Sequence, residues 1–76
     1  MKEFVEYIAK HLVDNPDAVA VSEEIKENKI ICKLTVGKED VGKIIGRKGR
    51  NAHAFRVLLS AIAAKNGKRG ILEIND

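Results

Sequence analysis

Two glycines bracket two cations at Gly46-Arg47-Lys48-Gly49, and Lys43 and Arg50 stand on either side of them. Glycine admits backbone conformations closed to other residues and lets a second backbone approach closely. Arg47 and Lys48 bring positive charge and N–H donors to the tip of the turn. If a helix opens after Gly49, its first N–H groups and its dipole add a further attraction for anions. The chemistry implied is capture of phosphate groups by backbone, dipole and charge together. It is not that of a nucleotide-binding P-loop, which needs a longer loop closing on Gly-Lys-Ser/Thr. No cluster of Cys and His suggests zinc or another metal, and nothing in the chain suggests a cofactor. His53 and Ser60 share one segment, but no acid follows to orient the histidine and no oxyanion site is evident, so an enzyme is not expected. Glu23 and Glu24 read as a solvated pair rather than an acid–base dyad.

The loop can act in this way only if helices flank it. Val41, Ile44 and Ile45 give a short apolar helix, with Glu39 and Asp40 suited to its first turn and Gly46 to its end. The pattern predicts a longer helix from near Gly49 to about Asn66, stopped by Gly67, with Ala52, Phe55, Leu58, Leu59, Ile62 and Ala63 as its core stripe. At the N-terminus, Phe4, Val5, Ile8, Leu12 and Val13 recur at helical spacing from Lys2 to about Asp14, with Tyr7 at the border and His11 on the surface. Asn15-Pro16 ends that helix. Ala18-Val19-Ala20-Val21 leads to Ile25 and a polar corner at residues 26–29. Ile30, Cys32, Leu34 and Val36 then alternate with Ile31, Lys33 and Thr35, so two strands joined by a tight turn are expected. Gly70–Ile74 makes a last strand. The order is helix, strand, strand, helix, helix, strand.

The 76 residues suffice for one domain spanning 1–76, and a chain this short buries only about 60% of its unfolded surface. A hydrophobic content of 45% argues for a folded core rather than disorder. The N-terminus carries acids where a signal peptide would be apolar, and no stretch approaches the ~20 apolar residues of a membrane span. The single Cys32 alternates with apolar neighbours and reads as a small buried hydrophobe. A reduced, cytoplasmic setting is the expectation. Charge is one-sided: residues 1–28 hold three basic and seven acidic side chains, a balance of −4, and residues 29–76 hold eleven and four, a balance of +7. No acid lies between Val41 and Leu72, and Lys65, Lys68 and Arg69 could extend the basic surface. A field of this kind attracts polyanions.

The run Val41-Gly42-Lys43-Ile44-Ile45-Gly46-Arg47-Lys48-Gly49-Arg50-Asn51-Ala52 resembles the core motif of KH domains, in which two hydrophobic residues precede Gly-x-x-Gly. The element order is similar to the type II arrangement, and a free-standing domain of this length resembles the KhpA-type family of small bacterial RNA-binding proteins. The resemblance covers nearly the whole chain. It implies an α+β fold, a mixed three-stranded sheet with three helices on one face. In KH domains the loop clamps the backbone of about four nucleotides of single-stranded RNA. Carried over by position, Gly46, Arg47, Lys48 and Gly49 would hold phosphates, flanked by Lys43 and Arg50. Whichever of Ile44 and Ile45 faces outward would line a groove for bases, with a sheet edge opposite. Many KH motifs carry a larger aliphatic residue where this chain has Ala52, which implies a shallower groove. The resemblance also implies a homodimer or pairing with a KhpB-like partner, and a role in post-transcriptional regulation or RNA chaperoning.

Opposite the core stripe of the long helix, Ala54, Val57, Ala61 and Ala64 form a second stripe of small residues. It is either a self-association surface or a solvated face built from a good helix former. Two other functions stay open at this level. A helix-turn-helix for duplex DNA would also join two helices at a glycine-containing turn. A protein-interaction module could keep the KH shape without binding RNA.

Overall fold

The computed structural model describes residues 1–76 throughout. Helix α1 spans Lys2–Leu12 and buries Val5 and Ala9. Pro16, which cannot donate a backbone bond but suits a helical first position, opens a single 3₁₀ turn over Pro16–Ala18. The turn takes up Ala18, expected to be extended, and Val19 caps it, so strand β1 begins later, at Ala20–Ile25. Strand β2 is Lys29–Thr35, helix α2 is Val41–Ile45, helix α3 is Arg50–Ala64 and strand β3 is Arg69–Asn75. Single 3₁₀ turns precede α2 and α3.

The sheet has the order β1-β2-β3, with β1 antiparallel and β3 parallel to β2. A parallel neighbour can be reached only by a crossover, and α2 and α3 supply it. Register then decides which side chains are covered. Ile30, Cys32 and Leu34 of β2 pair with Gly70, Leu72 and Ile74 of β3, and Val21 of β1 pairs with Leu34. Val21, Cys32, Leu34 and Leu72 join Val5, Ala9, Ile44, Phe55 and Leu59 in one core, which puts the three helices on this face of the sheet. The α+β architecture, the mixed sheet and the one-sided helical layer agree with the sequence reading. Lys29, Ile31, Lys33 and Thr35 share the other face with Arg69, Ile71, Glu73 and Asn75, and no helix contributes to it. Cys32 is fully buried as expected, and burial, with Glu23 across the strand pair, pushes its thiol pKa up.

The long helix departs from its expected stripe. Ala52, Phe55, Leu59 and Ala63 are buried, but Leu58 is 42% exposed and Ile62 only half-buried. Residues 55, 59 and 63 follow one line of the helix, and each single step along the chain rotates a side chain by about 100°. Leu58 is thereby turned off the sheet toward the face of Ala54 and Ala61. The approach of α3 to β3 is close enough to require Gly70, because a Cβ there would lie 2.6 Å from the Leu59 carbonyl oxygen. Gly70→Ala should therefore force helix and strand apart and cost about 1–3 kcal/mol, the range for overpacking. Urea unfolding should show a lower midpoint at unchanged slope. A midpoint equal to that of the parent chain would mean that α3 is not seated on this strand.

Candidate nucleic-acid interface

Helix α2 has five residues and ends where Gly46 takes φ 77°, ψ 170°, a region essentially confined to glycine. A Cβ at this position would also sit 2.8 Å from Cγ of Asn51. Asn51 Nδ2 donates to the Lys43 carbonyl at 2.9 Å, satisfying one of the orphan acceptors at the end of α2. Asn51 thus sets how α3 leaves α2. The sequence reading passed over it, although an amide two residues beyond the second glycine was the available signal. Lys48 (φ 57°, ψ 25°) and Gly49 (φ 73°, ψ 17°) are both left-handed. For a residue with a Cβ that conformation costs roughly 1–2 kcal/mol. The Gly49 N–H donates to the Gly46 carbonyl at 3.1 Å and closes the turn. Arg47, Lys48 and Arg50 are exposed, and no side chain caps the start of α3. The junction is built from two abutting helices and is open to solvent.

Ile44 is fully buried and anchors α2, while Ile45 is 39% exposed, so Ile45 is the outward one of the pair. It faces a groove of about 570 Å³. Gly49, Ala52, His53 and Arg56 line the helical side and Leu72–Asn75 line the strand side. Ala52 is buried in its floor. The strand side is the free edge of the sheet. Arg69 donates its N–H to the Asn28 carbonyl and Asn75 accepts from the Val36 N–H, so both turn their polar groups toward β2. Alternation along the strand then directs the N–H and C=O of Leu72 and Ile74 outward, into the groove. The groove therefore combines an apolar floor with a row of unpaired backbone donors and acceptors.

Two charges at the base of the loop, Asp40 and Lys43, are paired within the protein. Asp40, read in the sequence as an acid suited to the first turn of α2, is fully buried. Its carboxylate accepts the backbone N–H groups of Asp14 at 3.2 Å and Asn15 at 3.1 Å. Burial alone would push this carboxyl up, but those two donors and the Lys43 ammonium outweigh it and hold the pKa below the usual carboxylate range. Lys43, expected as a cation free to flank the loop, hydrogen-bonds Asp14 and lies 3.5 Å from Asp40. The hydrogen bond it donates to Asp14, against the opposing effect of desolvation and with the help of both negative charges, raises its pKa. This clamp ties the start of α2 to the chain leaving α1, so the loop grows from a fixed base.

The family model for the KhpA/KhpB KH domain matches residues 2–74. The chain belongs to this family. It is 51% identical over 74 residues to the RNA-binding protein KhpA of Clostridium acetobutylicum, covering 97% of this chain and 99% of that one. It is 54% identical to the RNA-binding protein KhpA of Caldanaerobacter subterraneus subsp. tengcongensis with the same coverage. Against the protein of that name from Aquifex aeolicus it is 47% identical, over 97% and 94% of the two chains. No solved structure matches it. No helix of this KH domain is long and apolar enough to cross a membrane.

The Asp40 clamp sets a pH dependence. A carboxyl whose folded pKa lies below its unfolded value of about 3.9 contributes stability above that pH and loses it as pH falls toward the folded value. Asp40→Asn should be less stable than the parent at neutral pH, and the two unfolding curves should converge as pH drops below about 4. Parallel curves over that range would show that the carboxylate charge contributes nothing.

Proposed function

We propose that this KH domain is a non-enzymatic module that holds short single-stranded RNA. The observation that carries the reading is the left-handed Gly46-Arg47-Lys48-Gly49 turn, exposed beside a groove that has an apolar floor and a free strand edge. Phosphates of the strand lie against Arg47, Lys48, Arg50 and the uncapped start of α3. Bases lie on Ile45 and Ala52 and meet the backbone of Leu72 and Ile74. The relatives' name, RNA-binding protein KhpA, supports RNA as the polyanion. Lys43 is committed to its two carboxylates, so it stands behind the loop as a support. A helix-turn-helix on duplex DNA fits poorly, because α3 exposes Ala54, Val57, Leu58 and Ala61 on one side, while its exposed His53 and Arg56 line the groove beside β3. The protein-interaction alternative leaves two cations at a left-handed turn without a use. The cellular setting we propose is the cytoplasm, in post-transcriptional regulation or RNA chaperoning.

With three loop cations engaged, log K against log salt should slope at about −2 for a single strand. Arg47→Ala with Lys48→Ala should bring the slope to about −0.7 and weaken RNA binding at least tenfold in a chain that still folds. Fluorescence anisotropy with labelled RNA reads both quantities. Undiminished affinity in the folded double variant would place the RNA on another surface.

The same proposal includes a protein partner, a second copy or a KhpB-like chain. Ala54, Ala61 and Ala64 are exposed on α3, together with Val57 at 53% and Leu58 at 42%. A cleft of about 160 Å³ between Ile8 and Leu12 of α1 and Ala54, Phe55 and Leu58 of α3 extends this surface. Small residues admit a second helix closely, and association would relieve the small core. Ala61→Asp should shift sedimentation toward the monomer while leaving the melting temperature of the monomer unchanged. An unchanged mass at equal concentration would remove this face as the interface.

A further inference from the structure

The three cations around the α3–β3 connection do not act as one cluster. Lys68 is occupied: its Nζ lies 2.8 Å from the Glu27 carbonyl and 3.3 Å from the Lys26 carbonyl, holding the tip of the β1–β2 hairpin. Lys65 comes nine residues after Arg56, which at 100° per residue is about two and a half turns, so it faces away from the groove. Arg69 has a different neighbour. It pairs in register with Lys29 of β2, and the two side chains share the uncovered face of the sheet.

Neither cation has an acidic partner. The ion pairs of the chain engage the N-terminus, Lys10, Lys26 and Lys43, and the nearby Glu24 is paired with Lys26. Arg69 is exposed and Lys29 half-buried. Like charges directly opposite on neighbouring strands repel and weaken the sheet that holds them. A local arrangement that works against the fold points to a use outside the fold. Its position suggests the use. The groove runs along the second half of β3, Leu72–Asn75, and closes at Gly70, where the α3 backbone presses on the strand. Arg69 is the next residue past that closure. From Asn75 to Arg69 the strand spans six steps, about 20 Å.

Given the RNA reading above, on which this step rests, we infer that Lys29 and Arg69 form a second phosphate-binding position for the same strand. A strand clamped at the Gly46–Gly49 turn, with bases in the groove, leaves it at the Gly70 closure, rounds the free edge of β3 and meets these two cations on the opposite face of the sheet. About four nucleotides fill the loop and groove. Only a longer strand reaches the second position.

The test compares a tetranucleotide with a single strand of about twelve nucleotides, within the range of single-strand site sizes. Both are titrated against the parent chain, Lys29→Gln with Arg69→Gln, and Arg47→Ala with Lys48→Ala. The Lys29/Arg69 double variant should bind the tetranucleotide as the parent does. On the longer strand it should bind severalfold more weakly, with a salt slope shallower by about 1.4, and each single variant should account for about 0.7 of that. Its melting temperature should equal or exceed that of the parent, since a repulsion has been removed. An unchanged slope and affinity on the longer strand would overturn the second position while leaving the loop reading intact. Unchanged tetranucleotide binding in the Arg47/Lys48 variant would overturn the loop reading and this inference with it.

Discussion

β3 lies parallel to β2, and that single pairing constrains everything on the helical side of the molecule. The chain must leave the end of β2, cross the sheet face and return to the same end from which β2 began. It does so with two helices of unequal length, and the short α2 forces their junction to the end of the sheet where β3 finishes. A direct turn between helices there requires backbone that only glycine takes easily, hence Gly46 and Gly49, with Lys48 held left-handed between them. The turn, the groove and the free strand edge are neighbours because one crossover makes all three.

The acidic and basic halves of the chain do not simply repel and attract at a distance. Asp14 from the N-terminal half and Asp40 from the start of the crossover meet Lys43 at one corner, where Asp40 is buried and Asp14 stays exposed. There the Asp40 carboxylate takes up two backbone N–H groups that the end of α1 leaves unpaired, and the Lys43 ammonium faces both carboxylates. Acid near a phosphate-binding loop would ordinarily weaken it. Here the negative charge is spent on protein groups before it can reach the loop, and the exposed cations beyond Gly46 remain unopposed.

The element order was legible because the periodicities are strong: alternation at Ile30–Val36, helical spacing in α1, and glycines at both ends of the loop. What misled was the assumption that an apolar residue on a helix faces the core. Leu58 lies one step from Leu59, and nothing in the run 55–63 distinguishes the two until β3 and Gly70 fix the rotation of α3. Asp40 was unreadable for a related reason. An acid before a helix suits solvent and dipole equally well in the sequence, and only the approach of residues 14 and 15 makes it an interior acceptor. Asn51 looked like any polar residue of a first turn until the Lys43 carbonyl stood opposite it.

The amino-acid sequence by itself determined the order of elements, the family resemblance and the residues of the phosphate-facing turn, because those depend on local conformation and on spacing along the chain. Which isoleucine faces the groove, which strand supplies its edge, where Lys43 is anchored and which cations stand side by side were decided by the tertiary structure. Each depends on register and helix rotation, set by contacts between segments that are distant in the chain. Lys29 and Arg69 are the clearest case. Forty residues apart in sequence, they become neighbours only when β3 pairs with β2.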